Sequence, residues 1–211
     1  MSGVICGRVF DKLWEVPYWL RSVRYRFPNE EVLLFSNGDT SSFTQLDCKV
    51  IEVIKQDKIE NTHVPHNDRY RFQLGAMSLF ATVAEYTEMK GYDYIVSMVA
   101  DEWFVTNTVF DRIKELEQYE LIMNSWNGKP WGSYVQRGNV SHFKNKEYMY
   151  SRFGFNCEDA VGSALHDKNI KFMQRKDKFG YDGCMGTVHF DTIEDPDAKD
   201  RYLSALGKTY A

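Results

Sequence analysis

Two acidic residues stand directly after a nearly all-apolar run of the sequence. The run YIVSMVA covers residues 94–100, and Asp101 and Glu102 follow it at once. Burying ionised carboxylates is costly unless a cation or hydrogen-bond donors compensate them. Carboxylate oxygens are hard ligands that suit Mg²⁺ or Mn²⁺. The pattern therefore predicts a divalent-metal site here. The alternative is that the two acids begin a solvated loop.

The elements that would position these acids alternate along the chain. Strands are predicted at residues 4–10, 32–36, 50–54, 94–100 and 121–123. Helices are predicted between Pro17 and Pro28, from Asp68 to about Lys90, and from Asn107 or Thr108 onward. This alternation is typical of an α/β protein with a mainly parallel, doubly wound central sheet flanked by helices. The strand at 94–100 is expected in the middle of that sheet, since both of its faces are apolar.

In such sheets, ligands bind beyond the carboxyl ends of the strands. The candidates are the polar residues that follow each apolar run: Gly7 and Arg8 in the first strand, Asp39 in the turn after the second, and the pair at 101–102. Arg69 and Arg71 bracket the start of the long helix, where a guanidinium could reach a phosphate or a base. The alternative is that the arginines are ordinary surface cations and that Asn37-Gly38-Asp39 is only a turn.

The composition limits the classes of function. The 211 residues carry a net charge of −4, with 43% apolar and 27% charged residues. This indicates a globular protein and gives no support for nucleic-acid binding, which normally uses a basic face. No apolar run is long enough for membrane insertion, and the first residues lack the order of a signal peptide. The four isolated cysteines fit reduced thiols, so we expect a cytoplasmic protein.

The run ending at Asp101 resembles the metal-binding strand end of the GT-A glycosyltransferases, which typically closes on an Asp-x-Asp motif. The preceding helix, with Arg69, Arg71 and Gly75 and the sequence GYDY after it, is similar to the helix that precedes this motif in the family. The segment FNCEDA at residues 155–160 resembles the Glu-Asp that opens a late helix on the acceptor side. The resemblance covers roughly residues 3–190, through individually weak motifs in the right order.

The resemblance implies a single GT-A (Rossmann-like) domain over residues 1–211, either complete or one domain of a longer protein. It also implies a UDP-sugar donor, Mn²⁺ or Mg²⁺, and a retaining transfer of a glucose- or rhamnose-like sugar to a glycan or glycoprotein acceptor. More narrowly, the chain resembles the amino-terminal domains of large chlorella-virus glycosyltransferases, which implies capsid glycan synthesis in the host cytoplasm.

One position departs from the family pattern. The first Asp of the motif falls on Val99, so only Asp101 is in register, followed by Glu102. In the family the second Asp usually holds the metal directly, which Asp101 would still do. A late histidine often adds a further ligand, and His189 in GTVHF is suitably placed in chain order. A lone histidine near the end of a β-rich run is more often structural or solvated.

Glu158 and Asp159 have two interpretations. Acids in the first turn of a helix are stabilised by its dipole, with Ala160, Val161, Ala164 and Leu165 packing below them. The resemblance implies instead that one of the acids orients the acceptor hydroxyl or stabilises an oxocarbenium-like transition state, with Asp159 slightly favoured.

Aromatic side chains in the stretch after the fifth strand are candidates for sugar stacking. The sequence NSWNGKPWG at residues 124–132 is glycine-punctuated and polar, as binding loops are. Trp126, Trp131 and Tyr134 are the candidates to line an acceptor groove. The alternative is that they belong to the core, as most aromatic residues do.

Two other functions fit the sequence less well. A sugar-phosphate nucleotidyltransferase would use a similar sheet, but it usually has a glycine- and lysine- or arginine-rich loop after its first strand, and GRVF at residues 7–10 is a poor version of it. A non-catalytic glycan-binding module is the remaining alternative.

Overall fold

The computed structural model describes residues 2–9, 15–36, 47–52, 68–88, 90–127, 129–138, 148, 160–162, 165, 169–174 and 181–189. These residues form the strands β1 (Gly3–Val9), β2 (Glu31–Ser36), β3 (Lys49–Glu52), β4 (Tyr94–Val99), β5 (Glu102–Phe104), β6 (Leu121–Trp126), β7 (Lys129–Arg137), β8 (Ile170–Gln174), β9 (Tyr181–Asp182) and β10 (Thr187–His189). The helices are α1 (Val16–Arg26), α2 (Asp68–Glu88) and α3 (Thr108–Glu115).

Within the described ranges, the central sheet has seven strands in the order β3-β2-β1-β4-β7-β6-β8. Strands β3, β2, β1 and β4 are parallel to one another, and so are β6 and β8. Because β7 pairs antiparallel with both β4 and β6, it alone among these seven runs in the opposite direction. The prediction of a mainly parallel sheet with the 94–100 run at its centre is therefore confirmed.

Helix α1 covers one face of the sheet. Pro17 lies in its first turn, where a missing N–H costs no helical hydrogen bond, and the helix ends before Phe27 and Pro28. Trp19 and Val23 are fully buried against the side chains that β1 and β4 direct to this face. Leu20 of the helix and Phe27, which follows its last residue, are buried in the same cluster.

Helix α2 covers the opposite face. Leu79 and Val83 pack with Val4, Cys6, Leu33 and Phe35, which alternate along β1 and β2 with the residues that face α1. Leu74, Met77 and Phe80 of α2 belong to a further cluster with β6 and β7. Burial raises the pKa of the Cys6 thiol far above its ordinary value, so Cys6 is an apolar core residue. No helix in the described ranges is long and apolar enough to cross a bilayer.

The stretch predicted to be a binding loop is mostly a β-hairpin. Residues 121–126 and 129–137 form β6 and β7, which pair antiparallel with a shift in register between Met123 and Ser125. Asn127 adopts a positive φ of 49° in the turn between them. The prediction was wrong here because the polar and glycine residues mark the short turn and the irregular pairing, and the flanking residues belong to the sheet.

A small second sheet lies beside the main one. It has the order β5-β10-β9, and both of its pairings are antiparallel. Trp103 and Phe104 of β5 pack against α1, through ring contacts of Trp103 with Tyr18 and of Phe104 with Phe27. Only Ala100 and Asp101 lie between the end of β4 and the start of the small sheet, which is anchored to the α1 side of the molecule.

Gly7 sets how closely α1 approaches β1. A Cβ at this position would lie 2.5 Å from two carbons of the Trp19 indole ring, nearer than packed atoms can be. We predict that Gly7→Ala lowers the free energy of unfolding by about 1–3 kcal/mol, as overpacking of a core does. Urea denaturation measures this loss. In a Trp19→Ala background the same glycine substitution should cost much less, and equal costs in both backgrounds would contradict the packing explanation.

Candidate functional site

Asp101 lies in the turn between β4 and β5, at the edge where β1, β2 and β4 end. It is partly exposed, whereas the Ala100 before it is only 1% exposed. The backbone N–H of Ala100 donates to the carbonyl of Arg8 over 2.9 Å. The indole N–H of Trp103 donates to the carbonyl of Ala100 over 3.1 Å. Ala100, the residue before Asp101, is therefore hydrogen-bonded through both its N–H and its C=O.

Glu102 is fully buried, at 0% exposure. Its Oε2 accepts a hydrogen bond from the hydroxyl of Ser133 in β7. Its Oε1 lies 3.6 Å from the point that a Cβ on Gly132 would occupy. The side chain therefore reaches from β5 to β7, in contact with residues of the main sheet.

Arg8 is also buried, at 6% exposure. Its guanidinium carbon lies 4.6 Å from the centre of the Phe80 ring and 5.9 Å from that of Tyr134, which are cation–π distances. One terminal nitrogen donates to the carbonyl of Gly132. A buried cation from β1 and a buried carboxylate from β5 therefore meet the same short segment of β7, with Val99 of β4 in register beside Arg8.

His189 lies directly opposite Glu102 in the antiparallel pairing of β10 with β5. Opposite residues in such a pair have Cβ atoms about 4.5–5.5 Å apart. The fold therefore brings together, at the level of the backbone, two of the three residues predicted to bind metal, and Asp101 is adjacent to one of them. The side chain of His189 lies outside what the structure describes. Within the described side chains, no group of three or more His, Cys, Asp or Glu residues forms a ready metal site.

The other predicted site residues are distributed as follows. Gly7 is buried in β1 and packs against Trp19. Arg69 and Arg71 lie in the first turn of α2, where only the backbone is described. Asp39, Glu158 and Asp159 fall outside the described residues. The predicted packing beneath the last two is confirmed in part, because Ala160, Val161 and Leu165 are buried in the cluster that α2 forms with β6 and β7.

The aromatic residues expected at an acceptor groove have different environments. Tyr134 is fully buried, and its ring centre lies 5.1 Å from that of Phe80, so the prediction was wrong for this residue. Burial raises the pKa of Tyr134 well above its ordinary value, although the charge on Arg8 opposes the shift. Trp126 is partly exposed at the end of β6, and the side chain of Trp131 lies outside the described part.

Sequence reasoning missed three residues that support this edge. Trp103, Gly132 and Ser133 contact the Asp101–Glu102 segment or its neighbours. Trp131, Tyr134 and Val135 are residue types that are enriched in strands, which would have indicated a strand here and not a loop. The contact of Ser133 with Glu102 has no signal in the sequence, because it joins two strands of different sheets.

Comparison with known proteins supports this architecture. No protein-family model and no curated protein matches the sequence. Among solved structures, the galactosyltransferase LgtC in complex with donor and acceptor sugar analogs is similar at a TM-score of 0.56 and 8% identity, over 98% of this chain and 95% of LgtC. A protein from Desulfovibrio desulfuricans G20, assigned as a nucleotide-diphospho-sugar transferase, is similar at 0.53 and 10% identity, over 100% of this chain and 99% of that one.

The chain has a GT-A-like fold. A further similar structure is the glycosyltransferase GlyE of Streptococcus pneumoniae TIGR4, at a TM-score of 0.52 and 7% identity, over 82% of this chain and 45% of GlyE. At such identities the likeness concerns the fold. It does not bear on the narrower resemblance to chlorella-virus enzymes, which stays a prediction.

The hydrogen bond from Ser133 to Glu102 should contribute measurably to the free energy of unfolding. Ser133→Ala removes a donor to a buried carboxylate, and hydrogen bonds to charged groups are worth about 1.5–3 kcal/mol. We expect a loss of that size in the free energy of unfolding, measured in urea. In a Glu102→Gln background the same serine substitution should cost less, because the acceptor no longer carries a charge. Ser78→Ala, a buried serine within α2, is the matched control and should cost less than Ser133→Ala.

Proposed function

We propose that this chain is a glycosyltransferase that moves a hexose or deoxyhexose from a UDP-sugar to a hydroxyl of a glycan or glycoprotein acceptor. The observation that carries the proposal is the position of Asp101, a partly exposed carboxylate at the carboxyl edge of the central strand in a GT-A-like sheet. Ligands of open α/β sheets bind at this edge. The sugar-bound state of LgtC, a structure of the same fold, agrees with a sugar-nucleotide ligand.

The donor atoms at this edge fit a hard divalent cation. Asp101 is a partly exposed carboxylate whose Oδ1 is itself buried, and Glu102 and His189 occupy opposed positions on the adjacent strands. Carboxylate and imidazole groups are suitable ligands for Mn²⁺, and carboxylates for Mg²⁺. We propose Asp101 as the direct ligand, with Glu102 or His189 as its partner. When bound, the cation supplies Lewis-acid stabilisation of negative charge on the diphosphate.

Coordination of a metal by Glu102 would require the loss of an existing hydrogen bond. Its Oε2 already accepts the Ser133 hydroxyl and its carboxylate is fully buried. A shift of this side chain towards a cation would break that bond and leave Ser133 without its charged acceptor. We therefore favour His189, which lies opposite Glu102 in the strand pairing, as the second ligand.

The donor nucleotide needs partners beyond the cation. We propose that Gly7 and Arg8 border the nucleoside, that Asp39 accepts from the base or ribose, and that Arg69 or Arg71 neutralises phosphate charge. Of these, Arg8 is engaged with the Gly132 carbonyl and two aromatic rings. A direct contact of Arg8 with the nucleotide would have to be made with the small part of the side chain that remains exposed.

We propose that Glu158 and Asp159 contact the acceptor. One of these carboxylates is proposed to orient the acceptor hydroxyl, whose oxygen forms the new bond to the anomeric carbon while the bond to the UDP oxygen breaks. A carboxylate there also stabilises positive charge that develops on the sugar. Retention of the anomeric configuration, a glucose- or rhamnose-like donor, a role in viral capsid glycan synthesis and a cytoplasmic location complete the proposal.

The role of Asp101 predicts a large and specific loss of turnover. With Mn²⁺ and UDP-sugar donors, Asp101→Ala should lower the rate of UDP release at least about 100-fold, since even the outer partners of a metal ligand contribute 10–100-fold. Asp111→Ala is the matched control, because Asp111 is an exposed carboxylate on α3, in a surface ion pair with Lys114, and should keep full activity. Near-normal metal-dependent activity of Asp101→Ala would overturn the assignment.

A binding measurement separates the proposed enzyme from the other functions. Calorimetric titration with UDP should show binding that strengthens with Mn²⁺, and Asp101→Ala should lose the strengthening. If neither UDP nor Mn²⁺ bound, a glycan-binding module would be favoured. Release of pyrophosphate from a nucleoside triphosphate and a sugar phosphate would identify a nucleotidyltransferase.

A further inference from the structure

Ala100 makes two backbone hydrogen bonds, and together they fix the peptide group that joins it to Asp101. At Ala100 the N–H donates to the Arg8 carbonyl over 2.9 Å, which extends the pairing of β1 with β4 by one step. The Ala100 carbonyl accepts the indole N–H of Trp103 over 3.1 Å. The first bond belongs to the backbone, but the second depends on one side chain. Trp103 is therefore the only one of these partners that a substitution can remove.

Trp103 is itself held firmly. It is 1% exposed and belongs to the core cluster that α1 forms with β1 and β4. Its ring centre lies 5.3 Å from that of Tyr18 on α1. The backbone of Trp103 pairs with Val188 of β10. An indole fixed on both sides offers its single N–H in one direction, and here that direction is the carbonyl next to Asp101.

We propose that Trp103 is a positioning residue for Asp101: its indole N–H holds the Ala100 carbonyl and thereby orients the Asp101 carboxylate for a divalent cation. The inference rests on the proposed function. The bond acts on the peptide plane between Ala100 and Asp101, because its carbonyl and the N–H of Asp101 lie in the same rigid unit. A rotation of that plane would swing the backbone of Asp101 and displace its carboxylate from the sheet edge.

Trp19 gives a matched comparison for a role that is only structural. It is 0% exposed and lies in the same core cluster as Trp103. Its indole nitrogen has no hydrogen-bond partner among the described residues. Replacing either tryptophan by phenylalanine removes the same atoms from the same core, but only the change at residue 103 removes a bond to the Asp101 turn.

The test measures the affinity for Mn²⁺ in the presence of UDP, from the electron paramagnetic resonance signal of free Mn²⁺. Trp103→Phe should raise the dissociation constant about 10-fold, in the range found when an outer partner of a metal ligand is removed. Trp19→Phe should leave the dissociation constant unchanged. Thermal melts should show that both variants remain folded, with similar decreases in Tm. In turnover assays, the Mn²⁺ concentration at half-maximal rate should rise for Trp103→Phe alone.

A second variant separates the hydrogen bond from the volume of the ring. Site-specific replacement of Trp103 by benzothienylalanine keeps the bicyclic shape and removes the N–H donor, so it should weaken Mn²⁺ binding as Trp103→Phe does. Equal Mn²⁺ affinity of wild type and both Trp103 variants would overturn the inference and leave the proposed function standing. Failure of the wild type to bind Mn²⁺ with UDP would overturn the proposed function and this inference with it.

Discussion

The parallel pairing of β1 with β4 is the constraint on which the site depends. It runs in register from Gly3 opposite Tyr94 to Arg8 opposite Val99, and the N–H of Ala100 adds one more bond to the Arg8 carbonyl. Both faces of these strands are covered, by α1 on one side and α2 on the other. With no solvent on either face, the first place where the chain can present a charged group to water is the end of the strand. Asp101 stands at that place.

Two opposite charges are buried just behind this edge. Arg8 is stacked on two aromatic rings and bonded to the Gly132 carbonyl, and Glu102 lies against the same glycine and accepts the Ser133 hydroxyl. Charges withdrawn from water are costly, and the cost is offset when each has hydrogen-bond partners nearby. The β7 segment at residues 132–133 provides such partners to both. These contacts link β1, β5 and β7 to one another next to the Asp101 turn.

The small sheet connects distant parts of the chain to the same edge. Pairing of β10 with β5 brings residues 187–189 alongside residues 102–104. Just outside the paired residues, the N–H groups of Val105 and Thr106 both donate to the Gly186 carbonyl, which also holds these two segments together. Gly186 has a φ of 70°, and a Cβ there would lie 2.1 Å from the Thr106 hydroxyl oxygen, so glycine is required at this close approach. The position of His189 opposite Glu102 depends on this tertiary contact.

The sequence by itself determined the alternation of strands and helices, the central strand at 94–99 and the edge at which Asp101 lies. It could do so because these features follow from local patterns: a run that is apolar on both faces, a proline in the first turn of a helix, and an apolar stripe along α1. The tertiary structure decided that Tyr134 is core and that His189 lies opposite Glu102 in the pairing of β10 with β5. It also decided that Arg8 is buried and that Trp103 bonds to the Asp101 turn. The environments of Tyr134, His189 and Arg8 depend on which distant segments pair, and neither segment alone shows which partner it has. The Trp103 bond joins residues three positions apart, but the direction of its N–H depends on how the ring packs against α1.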